Sequence, residues 1–481
     1  MTINSMLIDG RWLQASDGRK ETISAPYDGS VVGEVPIASV KDADAAVSSA
    51  VRGFETWSRT PAHQRVAILQ KAAALADERV AEIAAIISKE NGKSQVEALG
   101  EAGRSGEIIR LASYEGSQLY GETLPLDANK GTGFDKIGFT VRQPVGVVVA
   151  ISPFNYPALL VLHKIAPALA AGNSVVLKPA RTTPFTALAI AKCFTDAGLP
   201  DGVLNVITGS GGEIGDFLVS DKRVRKVSFT GSTAVGERIA SLAGVKKLSL
   251  ELGASGPVIV LKDADIEAAS SSIALGGYIN AGQVCISAQR IIVEESVVGN
   301  FVDALKPKVE AIRVGNPFAE GTAVGSLISK TEADRVATSI RAAVTAGAKL
   351  VTGGQQDGAF IQPAIVSNVD PYSPFAQDEL FGPAVGISTA RDVGHAIELA
   401  NSTAYGLGAG IFTNNMNNTI RAIREIESGV VHINWTQLWR ADLMPYGGFK
   451  SSGIGKEGLR SAVSEMTEVK TVIMHGSPWN N

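Results

Sequence analysis

The alternation of short apolar runs with helical segments after Val145 constrains the fold of this 481-residue chain more than any other feature. The runs VGVVVAIS, SVVLKP, GVLNVITG, KVSFTG and LSLEL are rich in β-branched residues, whereas PFTALAIAKCFTDAG and TAVGERIASLA have helical spacing. Strands separated by helices predict a parallel sheet with right-handed crossovers. We therefore expect an α/β protein with a nucleotide-binding architecture.

The remaining segments predict additional units around this sheet. Apolar residues at three- and four-residue spacing predict helices in DADAAVSSAVRGFETW and AHQRVAILQKAAALADERVAEIAAIISKENG, and a second α/β run extends to about Pro445. Between these parts, GETLPLDANKGTGFDKIGFTVRQPVG predicts a hairpin that stands off the body. The final MTEVKTVIM alternates like a strand, either across a subunit interface or at the edge of its own domain. A chain of this length is expected to form two or three domains.

Composition excludes several classes of partner. The net charge is −4 with acidic and basic residues interspersed, which leaves no field to hold nucleic acid or an anionic membrane. The most apolar window, VGVVVAISPFNYPALLVL, is interrupted by Ser152, Pro153, Asn155 and Pro157 and is not expected to span a bilayer. Two cysteines and no signal-peptide pattern in MTINSMLIDGRW predict a cytoplasmic protein in a reducing compartment.

Three residues are candidates for a catalytic site. Cys285 lies in NAGQVCISAQR, although a buried cysteine is usually a small hydrophobe, which is our interpretation of Cys193 on its amphipathic helix. Glu251 lies inside the apolar strand LSLELG and is either the partner of a buried cation or a base with a shifted pKa. Asn155 lies just past a strand end, between two prolines that stiffen the loop in SPFNYP, where it either offers its amide to a ligand or is a turn asparagine.

Two segments are candidates for phosphate or ribose binding. GSGGEIG is one residue too long for the G-x-G-x-x-G dinucleotide fingerprint. In KVSFTGSTAVGERIA a strand ends at Thr230, Gly231 turns, and Ser232 or Thr233 caps a helix. The start of that helix would aim free N–H groups at an anion such as pyrophosphate, unless it is an ordinary capped βα turn. Lys178 in LKPAR is placed to reach a ribose or phosphate, or it is a solvated lysine.

The motifs become specific through their order along the chain, SPFNYP, KPA, FTGSTAVG, LELG, GQVC, ELFGP, NSTAYGLGAGIFT and MPYGGFKSSGIGKEG. This order resembles the NAD(P)-dependent, non-acylating aldehyde dehydrogenase superfamily over nearly the whole chain. The resemblance implies a Rossmann-like cofactor domain (1–119 and 143–252), an α/β catalytic domain (253–445) and a small β oligomerisation arm (120–142 and 446–481). It also implies a homodimer or homotetramer.

The same resemblance implies roles for individual residues. Cys285 matches the nucleophile, Glu251 the general base and Asn155 the oxyanion-binding amide. A thiolate adds to the aldehyde, hydride leaves, and the resulting thioester is hydrolysed. Glu251 favours release of the free acid over transfer to coenzyme A. No metal is implied. The residues expected to bind NAD or NADP are Phe154, Lys178, Arg181, Gly211, Gly231, Ser232, Gly236, Leu252, Glu379 and Phe381.

Arg181 departs from the pattern of the family, which often has a glutamate after Lys-Pro-Ala. A guanidinium offers a fork of donors suited to the 2′-phosphate of NADP. We therefore predict that NADP is accepted or even preferred, unless Arg181 points into solvent.

Three residues are candidates for binding the substrate, a small aldehyde. If two or more of Arg104, His163 and Arg440 converge, they would bind an anionic group two or three carbons from the carbonyl. Small semialdehydes, or aldehydes bearing carboxylate, sulfonate or phosphonate, would fit. Alternatively, Trp435 and Trp439 would wall a pocket for an aromatic aldehyde, or the substrate would be neutral and aliphatic. The remaining alternatives are a coenzyme A-acylating relative, a cofactor-free cysteine hydrolase and a catalytically silent binding or structural protein.

Overall fold

The computed structural model describes residues 3–476 of the chain. Residues 1, 2 and 477–481, which the predicted domain boundaries include, lie outside the described residues. No helix in the described range is long and apolar enough to cross a membrane.

The strands are short, and most are grouped into three sheets. In chain order they are β1 (Met6–Ile8), β2 (Arg11–Leu13), β3 (Lys20–Ser24), β4 (Val31–Pro36), β5 (Thr123–Leu124), β6 (Lys136–Pro144), β7 (Val147–Ile151), β8 (Ser174–Lys178), β9 (Leu204–Val206), β10 (Val224–Thr230), β11 (Lys247–Glu251), β12 (Pro257–Val260), β13 (Arg290–Glu294), β14 (Lys349–Thr352), β15 (Gln356–Asp357), β16 (Phe360–Ile361), β17 (Ala364–Ser367), β18 (Ala384–Ala390), β19 (Tyr405–Gly406), β20 (Gly408–Phe412), β21 (Val430–Ile433), β22 (Phe449–Lys450), β23 (Gly453–Ile454) and β24 (Thr467–His475).

Helices cover the two large sheets. In chain order they are α1 (Val40–Trp57), α2 (Ala62–Glu78), α3 (Val80–Asn91), α4 (Gln95–Ala102), α5 (Ser105–Ser117), α6 (Leu159–Ala170), α7 (Pro184–Asp196), α8 (Gly211–Ser220), α9 (Thr233–Ala243), α10 (Ile266–Gly276), α11 (Val298–Glu310), α12 (Lys330–Thr345), α13 (Pro374–Gln377), α14 (Val393–Asn401), α15 (Met416–Glu425) and α16 (Leu459–Glu465).

The first large sheet has the order β2-β1-β9-β8-β7-β10-β11-β23. Its five inner strands, β7 to β11, are parallel, and β1, β2 and β23 pair antiparallel at the edges. Strand β7 is buried along its whole length, which explains the continuous apolar run in its sequence. Chain order reverses between β7 and β10. A ligand crevice is therefore expected outside the carboxyl ends of these two strands.

The second large sheet has the order β14-β17-β18-β13-β12-β20-β21, and only β14 runs antiparallel to its neighbour among the described strands. Strand β12 begins at Pro257, shortly after β11 ends at Glu251. The short connection from Leu252 to Gly256 therefore carries the chain directly from the first sheet to the second. The predicted α/β class, with a Rossmann-like part followed by a second α/β part, is confirmed.

The predicted hairpin and the terminal strand form a third, three-stranded sheet. Its order is β24-β6-β5, and β24 pairs with β6 along nine residues. The terminal strand therefore pairs within its own chain and lies at the edge of this sheet. Upstream of it, β23 pairs with β11 of the first sheet and α16 contacts α5 and α6.

Candidate active site

Cys285 follows a turn with an unusual backbone. Asn280, Ala281 and Gly282 have φ values of 51°, 54° and 70°, so three successive residues are in the left-handed region. Such conformations are unfavourable for residues with a side chain and persist only where surrounding contacts fix them. One such contact is the Asn280 N–H, which donates to Glu97 Oε1 at 2.7 Å. The turn fixes the direction in which the chain reaches Cys285.

Asn155 lies just beyond β7, is 3% exposed and is hydrogen-bonded on both its side chain and its backbone. Its Nδ2 donates to the Gln283 carbonyl at 2.8 Å, two residues before Cys285. Its own carbonyl accepts from Lys93 Nζ at 2.9 Å and from Asn280 Nδ2 at 3.0 Å. The amide keeps a second N–H that is available to a ligand beside Cys285.

Lys93, which holds the Asn155 carbonyl, belongs to a buried ion pair that sequence analysis missed. Its Nζ donates to Glu101 Oε2 and lies 3.7 Å from the centre of the Tyr156 ring. Glu101 Oε1 accepts from the N–H groups of Ala158 and Leu159, at 2.9 and 3.3 Å, where α6 begins. Both charges are thus buried with partners that satisfy them.

Glu251 ends β11 and is 2% exposed, yet neither of its carboxylate oxygens has a hydrogen-bond partner among the described residues. Burial, followed by the nearby negative charge of Glu457, raises the pKa of Glu251 well above its ordinary value. An unpartnered carboxyl with a raised pKa is suited to proton transfer.

Glu457, a second buried carboxylate that sequence analysis missed, differs because it is paired. Lys164 Nζ donates to Glu457 Oε1 at 2.7 Å and to Thr230 Oγ1 at 2.6 Å. Burial alone would raise the pKa of Glu457, but the charges of Lys164 and Arg440 hold it below its ordinary value. Glu457 is therefore an anion that favours the protonated form of Glu251.

A cleft at the chain reversal of the first sheet contains most of the residues predicted to bind the cofactor. Phe154 and Phe381 meet edge to face in this cleft, with ring centres 5.9 Å apart. The cleft also reaches Cys285 and Asn155. Of the ten predicted residues, six line this cleft, namely Phe154, Gly231, Ser232, Leu252, Glu379 and Phe381.

An adjoining cavity contains two further predicted residues, Lys178 and Gly211. Burial lowers the pKa of Lys178 to about 8, and its Nζ donates to the Pro179 carbonyl at 3.0 Å. Gly236 lines neither space. A side chain there would collide with Leu252, because an added Cβ would lie 2.3 Å from Leu252 Cδ2. Gly236 therefore allows α9 to pack closely against the cleft wall.

The start of α9 has free donors that suit an anion. Ser232 occupies the N-cap, as the sequence predicted, but its side chain makes no capping hydrogen bond. Thr233 Oγ1 instead accepts from the Gly253 N–H at 3.2 Å. Helix termini leave backbone N–H groups unsatisfied, so this end of α9 fits the pyrophosphate of a dinucleotide.

Arg181 lies outside the lining of both cofactor spaces. Its Nε and Nη2 lie 2.6 and 2.5 Å from Glu21 Oε1, and the side chain is 60% exposed. The hydrogen bond and charge of Glu21 raise the pKa of Arg181. The guanidinium is therefore already paired with a carboxylate of β3.

Arg104, His163 and Arg440 converge on a second cavity, which meets the cofactor cleft at Cys285 and Asn155. Trp435 and Trp439 are not among the residues that line it. Its aromatic walls come from Tyr156 and Tyr446, and its apolar walls include Leu159, Leu160 and Leu438.

The three basic residues differ in how their charge is compensated. Arg104 Nη2 lies 2.6 Å from Asp442 Oδ1, and His163 Nε2 lies 3.2 Å from the same oxygen. Burial, followed by the charge of Arg440, lowers the pKa of His163, so its imidazole is neutral near pH 7. Arg440 has no hydrogen-bond partner among the described residues. Its Nη2 lies 3.7 Å from Glu457 Oε2.

Tyr446 connects Arg440 to Cys285 and was also missed by sequence analysis. The Arg440 guanidinium lies over the Tyr446 ring at 3.9 Å, and the Tyr446 hydroxyl lies 3.2 Å from Cys285 Sγ. The only local signal was the tyrosine within MPYGGFKSSGIGKEG, which does not indicate its partner.

Comparisons with known proteins agree with this geometry. The model of the aldehyde dehydrogenase family matches residues 12–472. The 3-sulfolactaldehyde dehydrogenase of Priestia aryabhattai is 43% identical over 98% of both chains. The lactaldehyde dehydrogenase of Methanocaldococcus jannaschii is 39% identical over 98% of this chain and 100% of its own. The crystal structure of NADP-dependent glyceraldehyde-3-phosphate dehydrogenase from Bacillus halodurans, complexed with NADP, superposes with a TM-score of 0.96 at 36% identity, covering 99% of this chain and 100% of the other.

The chain therefore belongs to the aldehyde dehydrogenase family. It is an NAD(P)-dependent enzyme that oxidises an aldehyde to the carboxylic acid. The predicted class of enzyme and the predicted cofactors, NAD or NADP, are confirmed.

Proposed function

We propose that this aldehyde dehydrogenase acts on a small aldehyde that carries a sulfonate or carboxylate two or three carbons from the carbonyl. The observation that carries this proposal is the guanidinium of Arg440. It lines the same cavity as Cys285, is 11% exposed and has no hydrogen-bond partner among residues 3–476. A buried guanidinium without hydrogen-bond acceptors is unfavourable, and a substrate anion would supply them.

The other charges around the cavity strengthen the argument. Asp442 compensates Arg104, and Lys164 compensates Glu457. His163 is neutral because burial lowers its pKa. The charge of Arg440 is therefore the least compensated at this cavity. The 43%-identical 3-sulfolactaldehyde dehydrogenase and the 36%-identical succinate-semialdehyde dehydrogenase of Arabidopsis thaliana are named for anionic aldehydes, which supports the same substrate class.

The chemistry assigns one role to each of three residues. Cys285 attacks the aldehyde carbon as a thiolate, and the Asn155 amide together with the Cys285 N–H binds the oxyanion. A nicotinamide held by the lining of the cleft, which includes Phe154, Glu379 and Phe381, would supply the hydride acceptor for this oxidation. Glu251 then removes a proton from the water that hydrolyses the thioester, so the acid is released without coenzyme A.

A neutral 2-hydroxyaldehyde is the second candidate, because the 39%-identical relative is named lactaldehyde dehydrogenase. The leucine side chains of the cavity would contact such a substrate. In that case Arg440 would only support the Tyr446 ring.

The pair 3-sulfolactaldehyde and lactaldehyde separates these candidates, since the two molecules share a skeleton and differ by the sulfonate. We expect kcat/KM to be higher for the sulfonate. Arg440→Ala should lower that value about 10- to 100-fold, the effect of losing a charge-assisted hydrogen bond, and should change the value for lactaldehyde only a few-fold. Production of reduced cofactor is followed without coenzyme A.

Arg335→Ala is a matched control for this experiment. It removes an arginine from the wall of the cofactor cleft, not the substrate cavity, so it should affect both aldehydes equally. Equal losses for the two aldehydes in Arg440→Ala would rule out the anionic substrate class.

We also propose that NADP is accepted through Arg181, once a 2′-phosphate replaces Glu21 as its partner. Arg181→Glu should shift the ratio of kcat/KM for NADP over NAD toward NAD by about 10- to 100-fold, because a charge-assisted bond is lost and a like charge is introduced. Glu21→Gln, which frees Arg181, should shift the ratio toward NADP. If both ratios equal that of the wild type, Arg181 has no role in cofactor selection.

The proposed assembly is a homodimer or homotetramer that uses the edge of the three-stranded sheet. Strand β24 lies at that edge and exposes Val469, Ile473 and Met474. Edge strands with apolar side chains favour pairing with another chain.

The proposed domains are a cofactor domain of residues 1–119 and 143–252, a catalytic domain of residues 253–445, and an oligomerisation arm of residues 120–142 and 446–481. Two free cysteines, Cys193 and Cys285, are compatible with the proposed cytoplasmic location.

A further inference from the structure

We propose that the Tyr446 hydroxyl is a catalytic group that donates a hydrogen bond to the Cys285 thiolate and stabilises it for attack. This inference rests on the proposed role of Cys285 as the nucleophile. It adds a residue that neither the motif order nor the names of the relatives assign.

The position of the phenol is fixed from several sides. Its oxygen lies 3.2 Å from Cys285 Sγ, and no other hydrogen bond of this hydroxyl is found in the described part of the chain. The residue is 3% exposed. Its backbone N–H donates to the Glu457 carbonyl at 2.9 Å, and the Glu457 N–H donates back at 2.6 Å. The Arg440 guanidinium covers the ring at 3.9 Å. The hydroxyl is therefore directed at the sulfur by a rigid frame.

The surroundings of Cys285 disfavour its thiolate, so a hydrogen-bond donor to the sulfur is needed to stabilise that form. Burial raises the pKa of the Cys285 thiol to about 12, and the negative charges of Glu379 and Glu251 act in the same direction. Two groups oppose them, the hydroxyl of Tyr446 and the charge of Arg440, and the hydroxyl has the larger effect. Tyr156 also faces the sulfur, but it makes no hydrogen bond to it.

The direction of the hydrogen bond follows from protonation states. A thiolate can only accept, and a phenol that stays protonated can donate. Burial raises the pKa of Tyr446 well above its ordinary value, so the phenol keeps its proton near pH 7. The thiol proton leaves to solvent before attack. The sulfur electron pair then forms the C–S bond while the carbonyl π pair moves to oxygen, and Tyr446 retains its own proton throughout.

The pH dependence of Cys285 alkylation tests this role without turnover. Iodoacetamide is the probe, and mass spectrometry measures modification of the full-length protein from pH 6 to 10.5. Tyr446→Phe removes one oxygen atom and keeps the ring beneath Arg440. Below the thiol pKa the alkylation rate is proportional to the thiolate fraction, so a higher thiol pKa lowers the rate at every pH. We expect the rate at pH 7.5 to fall about 10-fold or more in Tyr446→Phe, because hydrogen bonds to charged groups are strong.

Tyr156→Phe is the matched control, because it deletes from the same cavity a phenolic oxygen that makes no hydrogen bond to the sulfur. Its alkylation rate at each pH should equal that of the wild type. An unchanged or raised alkylation rate in Tyr446→Phe would overturn the inference, since the hydroxyl would then be neutral toward the thiolate or would favour the thiol.

Failure of this inference is distinguishable from failure of the proposed function. If wild-type enzyme fully alkylated at Cys285 still turns over, Cys285 is not the nucleophile and both proposals fail. If alkylation abolishes turnover while the alkylation profile of Tyr446→Phe matches that of the wild type, only the role of Tyr446 fails.

Discussion

Asn155 and Glu251 lie at the carboxyl ends of strands in the same sheet and are almost equally buried, at 3% and 2% exposure. Their surroundings differ sharply. Asn155 is held through its side chain by Gln283 and through its carbonyl by Lys93 and Asn280. Neither carboxylate oxygen of Glu251 has a hydrogen-bond partner among the described residues.

The difference matches the chemistry proposed for each residue. A group that stabilises an oxyanion is most effective when its dipole is fixed before charge develops, so that nothing reorganises during the reaction. A general base needs a pKa near the working pH and room for water. Burial and the anion of Glu457 raise the pKa of Glu251, and the absence of partners leaves its oxygens available. The Asn155 amide is thus fixed in position before the reaction, whereas the oxygens of the Glu251 carboxyl are free to exchange a proton.

Glu251→Gln should produce the largest effect that bears on this comparison. Removal of a general base is expected to lower steady-state turnover about 10²- to 10⁴-fold. The first turnover should persist as a burst of one reduced cofactor per active site, because Cys285 and Asn155 still form the thioester. Rapid-mixing absorbance measures both phases.

The pH profile sharpens the same test. Because the pKa of Glu251 is raised, its carboxyl becomes protonated as the pH falls through that pKa. Hydrolysis of the thioester should therefore slow at a pH well above the usual pKa of a glutamate. Glu457→Gln removes the neighbouring negative charge and should shift this fall to lower pH. A Glu251→Gln enzyme without a burst would contradict the division of roles, since Glu251 would then act before the thioester forms.

Much of the fold could be predicted because parallel strands buried on both faces produce continuous apolar runs. Strands β7 to β11 and helices α7 and α9 lie where VGVVVAIS, SVVLKP, GVLNVITG, KVSFTG, LSLEL and their intervening segments predicted them. The N-terminal strands β1 to β4 were not predicted. They have three to six residues, and apart from the buried β1 they are largely exposed, so no periodicity of 2 develops.

The candidate site was only partly accessible from sequence. The positions of Cys285, Glu251 and Asn155 came from motif order, and their roles stay proposals. The contacts that tune them were not accessible, because their partners are distant in the chain. Tyr446 lies 161 residues from Cys285, and Glu457 lies 293 residues from Lys164. No local pattern indicates a contact over such separations. The pairing of Arg181 with Glu21, 160 residues away, was hidden for the same reason.

Lys93→Met tests how Asn155 is held in place, and its expected effect is smaller than that of Glu251→Gln. Loss of the ammonium group frees the Asn155 carbonyl, so the oxyanion-binding amide becomes less precisely placed. We expect the rate of the first turnover to fall about 10-fold, compared with about 10²- to 10³-fold for Asn155→Ala. Lys93 acts through Asn155, so the double variant should be no slower than Asn155→Ala alone. Cofactor affinity, measured by fluorescence titration, should match the wild type and confirms that the protein is folded. Losses that multiply in the double variant would show that Lys93 supports the domain in general and does not position this amide.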